Sequence, residues 1–119
     1  MIAIKRLDHV LITIPPNSRK EARQFYIEKL LLKEIPGTHP HGAIWIQLGA
    51  IELHVREEEG HQSTSARHAA FEVTDLEEAK VFLEKETIEI SYSSKIDGRD
   101  RCFFRDPWGN RFELIEYDQ

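Results

Sequence analysis

The sequence predicts an α+β domain built from two copies of a β-α-β-β-β unit, and three observations carry that prediction. Short β-branched and aromatic runs are interrupted by only two segments with helical periodicity. The order of runs in the first half returns in the second. Near the start of each half a His precedes a Glu at a similar distance, 43 positions from His9 to Glu52 and 45 from His68 to Glu113.

The elements follow in order. Asp8 to Ile14 (DHVLITI) is β-branched and stops at Pro15-Pro16, which predicts a first strand. Ser18 and Glu21 form an S-x-x-E capping box, and Ala22, Phe25, Tyr26 and Leu30 give the following helix one apolar face. Pro36-Gly37 breaks the chain before a strand over Ala43 to Leu48. Gly49-Ala50 then turns tightly into Ile51 to Val55, which makes a hairpin. Arg56 to Ser65 is charged, polar and free of apolar residues and reads as a linker. In the second half Arg67 to Val73 is a strand, and Thr74 with Glu77 offers a second capping box. Leu76, Ala79, Phe82 and Leu83 supply the helix face. Strands are expected over Glu89 to Ser93, Asp100 to Arg105 and Arg111 to Tyr117, with Asp106 to Asn110 as the last turn. One domain over residues 1–119 is expected, with modules at about 1–58 and 65–119.

Composition removes several function classes. The chain has 119 residues, 40% hydrophobic and 31% charged, which suits one folded domain. A formal net charge of -5 gives no basic face for nucleic acid. No apolar run approaches the roughly 18 residues that a membrane span needs. The early Asp8 and His9 do not fit a signal peptide, and a single cysteine, Cys102, suits a reducing compartment, so a cytoplasmic location is expected.

Strand alternation sorts the polar residues. Val10, Ile12 and Ile14 oppose His9; Ile51, Leu53 and Val55 oppose Glu52 and His54. Ala69, Phe71 and Val73 oppose His68; Phe112 and Leu114 oppose Glu113. If the apolar rows pack under the helices, His9, Glu52, His68 and Glu113 all fall on the other face. Two imidazoles and two carboxylates would suit a divalent metal with room for water or substrate. Taken singly, a strand His or Glu is more often a solvated or satisfied residue than a ligand; the duplicated spacing is what raises these four.

The chain resembles the vicinal oxygen chelate superfamily of glyoxalases, bleomycin-resistance proteins and dioxygenases. The resemblance rests on Leu7-Asp8-His9-Val10, on Arg67 to Val73, and above all on the D-P-x-G-N-x-x-E-L run from Asp106 to Leu114. It implies paired βαβββ modules forming a curved mixed sheet, a cup around a metal. His9, His68 and Glu113 match ligand positions of that superfamily. Glu52 matches the fourth ligand of glyoxalase-type members, with His54 as the alternative. The metal would be nickel, zinc, cobalt, manganese or iron. Four ligands point to a lyase or isomerase in which the metal acts as a Lewis acid on adjacent substrate oxygens, while Glu113 or Glu52 moves the proton. The alternatives are a three-ligand transferase or extradiol-type dioxygenase, and a non-catalytic protein that sequesters an antibiotic or other small molecule. A homodimer is also implied.

Strand parity places Trp45 and Gln47 on the same open face, and puts Arg101, Phe103 and Arg105 in one row. Trp45, His54, Arg101 and Phe103 are therefore the candidate substrate contacts, the arginines for an anionic group, although strand arginines are commonly just solvated. Trp108 belongs to the turn and reads as a rim or interface residue. His39, His41 and His61 read as exposed loop residues, and Cys102 as buried packing.

Overall fold

The computed structural model describes all of residues 1–119 and divides into two compact units, Met1–His61 and Gln62–Gln119. In the first, β1 (His9–Ile14) is followed by helix α1 (Arg19–Arg23) and strands β2 (Lys33–Glu34), β3 (Ile44–Leu48) and β4 (Ile51–Glu57). In the second, β5 (His68–Glu72) is followed by α2 (Leu76–Lys85), β6 (Arg99–Arg105) and β7 (Arg111–Tyr117). Each unit has its own sheet, ordered β1-β4-β3-β2 and β5-β7-β6. Both are mixed: the first strand pairs in parallel with the last, and the remaining pairs are antiparallel.

The apolar rows are buried in part. Most of those of β3 and β4 are, and Ala69 and Phe71 of β5 are half-buried. In the second unit Phe103, Glu113 and Ile115, of the row expected to be open, are buried as well. Ile14, Ile44, Ile46, Leu53 and Val55 are at most 1% exposed, and Ala22, Phe25 and Tyr26 of the helical segment are buried too. In the second unit Cys102, Phe104 and Phe112 are buried with Leu76 and Leu83 of α2. The Phe104 and Phe112 rings stack at 5.3 Å. Each such large apolar side chain removed from water contributes about 1.5–3 kcal/mol.

Several local expectations are corrected. The first helix is α-helical only over Arg19–Arg23 and continues as a π-helix over Gln24–Lys29. Ser18 makes no side-chain cap; its backbone N–H instead donates to Glu57 Oε2 at 2.8 Å, from the end of β4. Arg56 and Glu57 are therefore strand, not linker. At α2 the cap is Asp75, whose carboxylate accepts from the Glu78 N–H at 3.0 Å, and not Thr74. The Leu76 N–H donates to Glu116 Oε1 at 2.7 Å, so in both units a strand carboxylate meets donors at a helix start. The strand expected over Glu89 to Ser93 is reduced to one bridge, Ser91 with Phe103. The two-residue β2 carries too short a signal to be read from sequence.

The Asp106 turn explains why its sequence is so distinctive. Asp106 is 4% exposed. Its Oδ1 accepts from the Trp108 and Asn110 N–H groups at 3.0 and 2.8 Å, and its Oδ2 from the Asn110 side-chain amide at 2.8 Å. Gly109 has φ +90°, and a Cβ there would collide with the Ser63 carbonyl. Asp, Gly and Asn thus hold the turn that launches β7 and Glu113.

Candidate metal and substrate site

In the second unit, His68 is the first residue of β5 and Glu113 lies on the adjacent strand β7. Their side chains meet, Nε2 to Oε1, at 2.9 Å. The His68 Nδ1 is 2.8 Å from the Ala66 carbonyl oxygen, which can only accept, so Nδ1 carries the hydrogen. In a neutral ring Nε2 is then a lone pair facing a carboxylate oxygen. At that distance a proton fits between the two atoms, and a metal ion, about 2.0–2.2 Å from each, would sit to the side of the line joining them. Glu113 is 5% exposed, and its other oxygen receives the Arg101 guanidinium at 3.4 Å.

The first unit arranges similar groups differently. His9 sits beside Glu52 in register, and its Nδ1 meets Asp8 Oδ2 at 2.9 Å. This bond to His9 holds the Asp8 carboxyl below its usual range. It also directs the ring hydrogen to Nδ1 and leaves the Nε2 lone pair available. Glu52 is bonded by its Oε1 to His54 Nε2 at 3.0 Å. His54, 8% exposed, lies inside a continuous stack of four rings: His39 on Trp45 at 4.1 Å, Trp45 on His54 at 4.2 Å, and His54 on His9 at 4.1 Å.

This stack bears on the choice between Glu52 and His54. An imidazole lone pair lies in the ring plane, and the His9 and His54 planes are 16° apart and stacked. One ion cannot lie in both planes at once, so His9 and His54 cannot both bind the same ion in this arrangement. Register, by itself, points to His54. His9 faces Glu52 and Leu11 faces His54, whereas His68 faces Arg111 and Ala70 faces Glu113. The positional counterpart of Glu113 is therefore His54, and the similar sequence spacing conceals a two-residue offset.

The donors fit a divalent ion in kind: imidazole nitrogens already oriented through Nδ1, and carboxylates. They occur as pairs, and no group of three or more His, Cys, Asp or Glu side chains is gathered around one point.

The other candidates divide into engaged and available groups. Trp45 is taken up in the stack. Phe103 is only 1% exposed, its ring covered by Arg111 at 4.0 Å and Arg101 at 5.3 Å. Arg101 donates to the Ser94 carbonyl at 2.7 Å, and Arg105 to those of Gly109 and Ser65 at 2.6 and 3.0 Å. His39 and His61, expected to be exposed, are part-buried: His39 Nε2 contacts the Ile35 carbonyl at 3.0 Å, and His61 Nδ1 meets Thr13 Oγ1 at 2.7 Å. The His61 contact was hidden because its partner lies 48 positions away; His39 bonds a backbone carbonyl four residues back, which no side-chain pattern marks. Arg111, not singled out in sequence, stands in register with His68. Cys102 is buried and burial pushes its thiol up, as packing requires. A cavity of about 490 Å³ beside Glu72, Glu116 and Tyr117 shares no residue with the His68–Glu113 pair. No helix is long and apolar enough to cross a membrane.

Comparison with known proteins identifies the fold and the family. A protein assigned to the glyoxalase family from Bacillus anthracis is 31% identical, with a TM-score of 0.89 over 99% of both chains. A glyoxalase family protein from Enterococcus faecalis is 28% identical, with a TM-score of 0.76 over 94% of this chain and 98% of its own. TnmS3, an antibiotic binding protein from a Streptomyces species, shares the fold at 15% identity, with a TM-score of 0.76 over 99% of this chain and 100% of its own. No curated protein matches the chain at a significant level. Residues 6–114 match the family described as the Glyoxalase/Bleomycin resistance protein/Dioxygenase superfamily, and the chain belongs to that superfamily.

Proposed function

We propose that the protein is a metal-dependent lyase or isomerase of glyoxalase type, acting on a small substrate with adjacent oxygens, and that it is a cytoplasmic homodimer. The observation that carries this reading is the His68–Glu113 pair, an imidazole nitrogen and a carboxylate oxygen 2.9 Å apart on adjacent strands. His9, Glu52, His68 and Glu113 would hold the ion. When bound, it would supply Lewis-acid stabilisation of negative charge on substrate oxygen. The chain's own contribution is orientation and proton transfer. Ala66 and Asp8 fix the two His tautomers, Arg101 steadies Glu113, and His54 holds Glu52 by its oxygen. Glu113 and Glu52 are the groups able to take a proton from carbon next to a carbonyl and return it to its neighbour.

The test is metal content after reconstitution of untagged protein, alongside isomerisation of α-oxo and thiol-derived substrates. Near-stoichiometric metal in the parent protein and its loss in Glu113→Gln is the expected result. No metal after reconstitution with nickel, zinc, cobalt, manganese and iron in turn would overturn it. Metal retained in full by Glu52→Gln would instead favour a three-ligand transferase or dioxygenase.

A second reading is a non-catalytic small-molecule-binding protein. It is supported by the fold shared with TnmS3, an antibiotic binding protein. Binding without turnover, unaffected by chelators, would identify it.

A further inference from the structure

Four arginines, Arg99, Arg101, Arg105 and Arg111, share the strand row of β6 and β7 that carries Glu113. Arg99 lies over the Tyr117 ring at 4.7 Å, at the end of the row away from Arg111. Their occupations differ. Arg105 is spent on two carbonyl oxygens at 2.6 and 3.0 Å. Arg101 is divided between Ser94 and the Glu113 carboxylate, so its charge is already matched. Arg111 faces no carboxylate. Its one hydrogen bond is long, from Nη1 to the Ala66 carbonyl at 3.4 Å; His68 Nδ1, also 3.4 Å from that nitrogen, carries its own hydrogen and cannot accept.

What holds Arg111 in place is the Phe103 ring, 4.0 Å below the guanidinium carbon. A cation on an aromatic face keeps its charge and the donors around its edge. A planar fork fixed from below and only weakly engaged at one nitrogen is prearranged to take two oxygens of one anion. Lying in register with His68, it stands beside the pair proposed above to bind metal.

We propose that Arg111, carried on Phe103, is an oxyanion-binding subsite, and that the protein takes a ligand bearing a carboxylate or phosphoryl group. That the anion belongs to a substrate rests on the lyase or isomerase reading; that it binds at Arg111 does not.

The experiment therefore uses metal-stripped full-length protein. Inorganic phosphate and acetate are titrated separately at constant ionic strength, against chloride, while NMR follows the Arg111 Nε–H and the Phe103 amide. The expected result is saturable shifts with at least one anion, an affinity at least tenfold lower in Arg111→Gln, and an intermediate affinity in Arg111→Lys, which keeps charge but loses the fork. Lys95→Ala, removing a cation remote in sequence, should bind as the parent does. Saturation by phosphate alone assigns a phosphoryl ligand, and by acetate alone a carboxylate. Shifts that grow linearly with anion, or equal affinity in a folded Arg111→Gln, overturn the proposal. Anion binding by a protein that takes up no metal would leave the subsite standing and remove the metalloenzyme reading.

Discussion

The two units use one strand scheme and fill it with different chemistry. Counting from the parallel strand pair, His9 corresponds to His68, Glu52 to Arg111, His54 to Glu113, and Trp45 to Phe103. The first unit stacks its rings and places an acid where the second places a guanidinium. The second buries its acid and covers its aromatic ring with arginine. Duplicated backbone geometry therefore does not imply duplicated roles. The His at the head of each sheet is the constant element, and the groups around it differ.

The hairpin turns offer the largest contrast. Gly49 has φ +55° with nothing within 4 Å of an added Cβ, whereas Gly109 has φ +90° and its Cβ would meet the Ser63 backbone. Ala at Gly49 should cost only the left-handed strain, about 1–2 kcal/mol. Ala at Gly109 adds a backbone collision, bringing the loss to about 3–5 kcal/mol. Urea unfolding of both variants measures the difference; equal losses would mean that the 62–66 segment yields freely.

The next contrast concerns His54 and Glu52. As the group that holds Glu52 and stacks on His9, His54 should affect metal affinity indirectly. His54→Phe, which keeps the stack and loses the hydrogen bond, should weaken binding by about 10–100-fold. Glu52→Gln should weaken it further. Calorimetric titration with zinc decides the order, and complete loss in the His54 variant with retention in Glu52→Gln would make His54 the ligand and follow the register instead of the stack.

Much of this was legible in sequence, for identifiable reasons. Alternation located the strands carrying all four candidate donors, because each has an apolar row on one face, although in β6 and β7 residues of both faces are buried. The same alternation put Trp45 on the open face of its strand and Phe103 in one row with Arg101 and Arg105. Strand register was not legible: it depends on cross-strand pairing, so Glu52 and Glu113 looked equivalent from spacing alone. The caps were misread by one residue at Asp75, and at Ser18 because its donor is met by Glu57, 39 positions away. Arg111 was passed over because an arginine in a strand has no sequence signature that separates a stacked guanidinium from a solvated one.

The helix starts form a smaller comparison. Asp75→Ala should cost about 1 kcal/mol, since it frees a donor in the first turn of α2. Glu57→Gln, which keeps an acceptor for the Ser18 N–H but removes the charge, should cost about 0.5 kcal/mol. Thermal unfolding would register both, and a larger loss at Glu57 would mark its carboxylate as structural for the first unit.

Surface pairs should separate the units least. Arg23 grips both oxygens of Glu34 in the first unit, and Lys95 meets Asp100 at 2.8 Å in the second. Exposed pairs contribute little to stability, so Arg23→Ala should move the unfolding midpoint only marginally. The Lys95–Asp100 pair has a titration signature instead. Its hydrogen bond holds the Asp100 carboxyl below the usual range and pushes the Lys95 amine up. A depressed carboxyl favours the folded state above its unfolded pKa, and that contribution is lost as pH falls through the folded value. The raised amine acts in the opposite direction on the alkaline side: its contribution is present below the unfolded pKa and lost as pH rises through the folded one. Lys95→Ala should therefore raise the Asp100 titration toward that of an ordinary aspartate, followed by carbon-detected NMR, with little change in stability near neutrality. An Asp100 titration unmoved by the substitution would show that this pair is only a crossing of two solvated side chains.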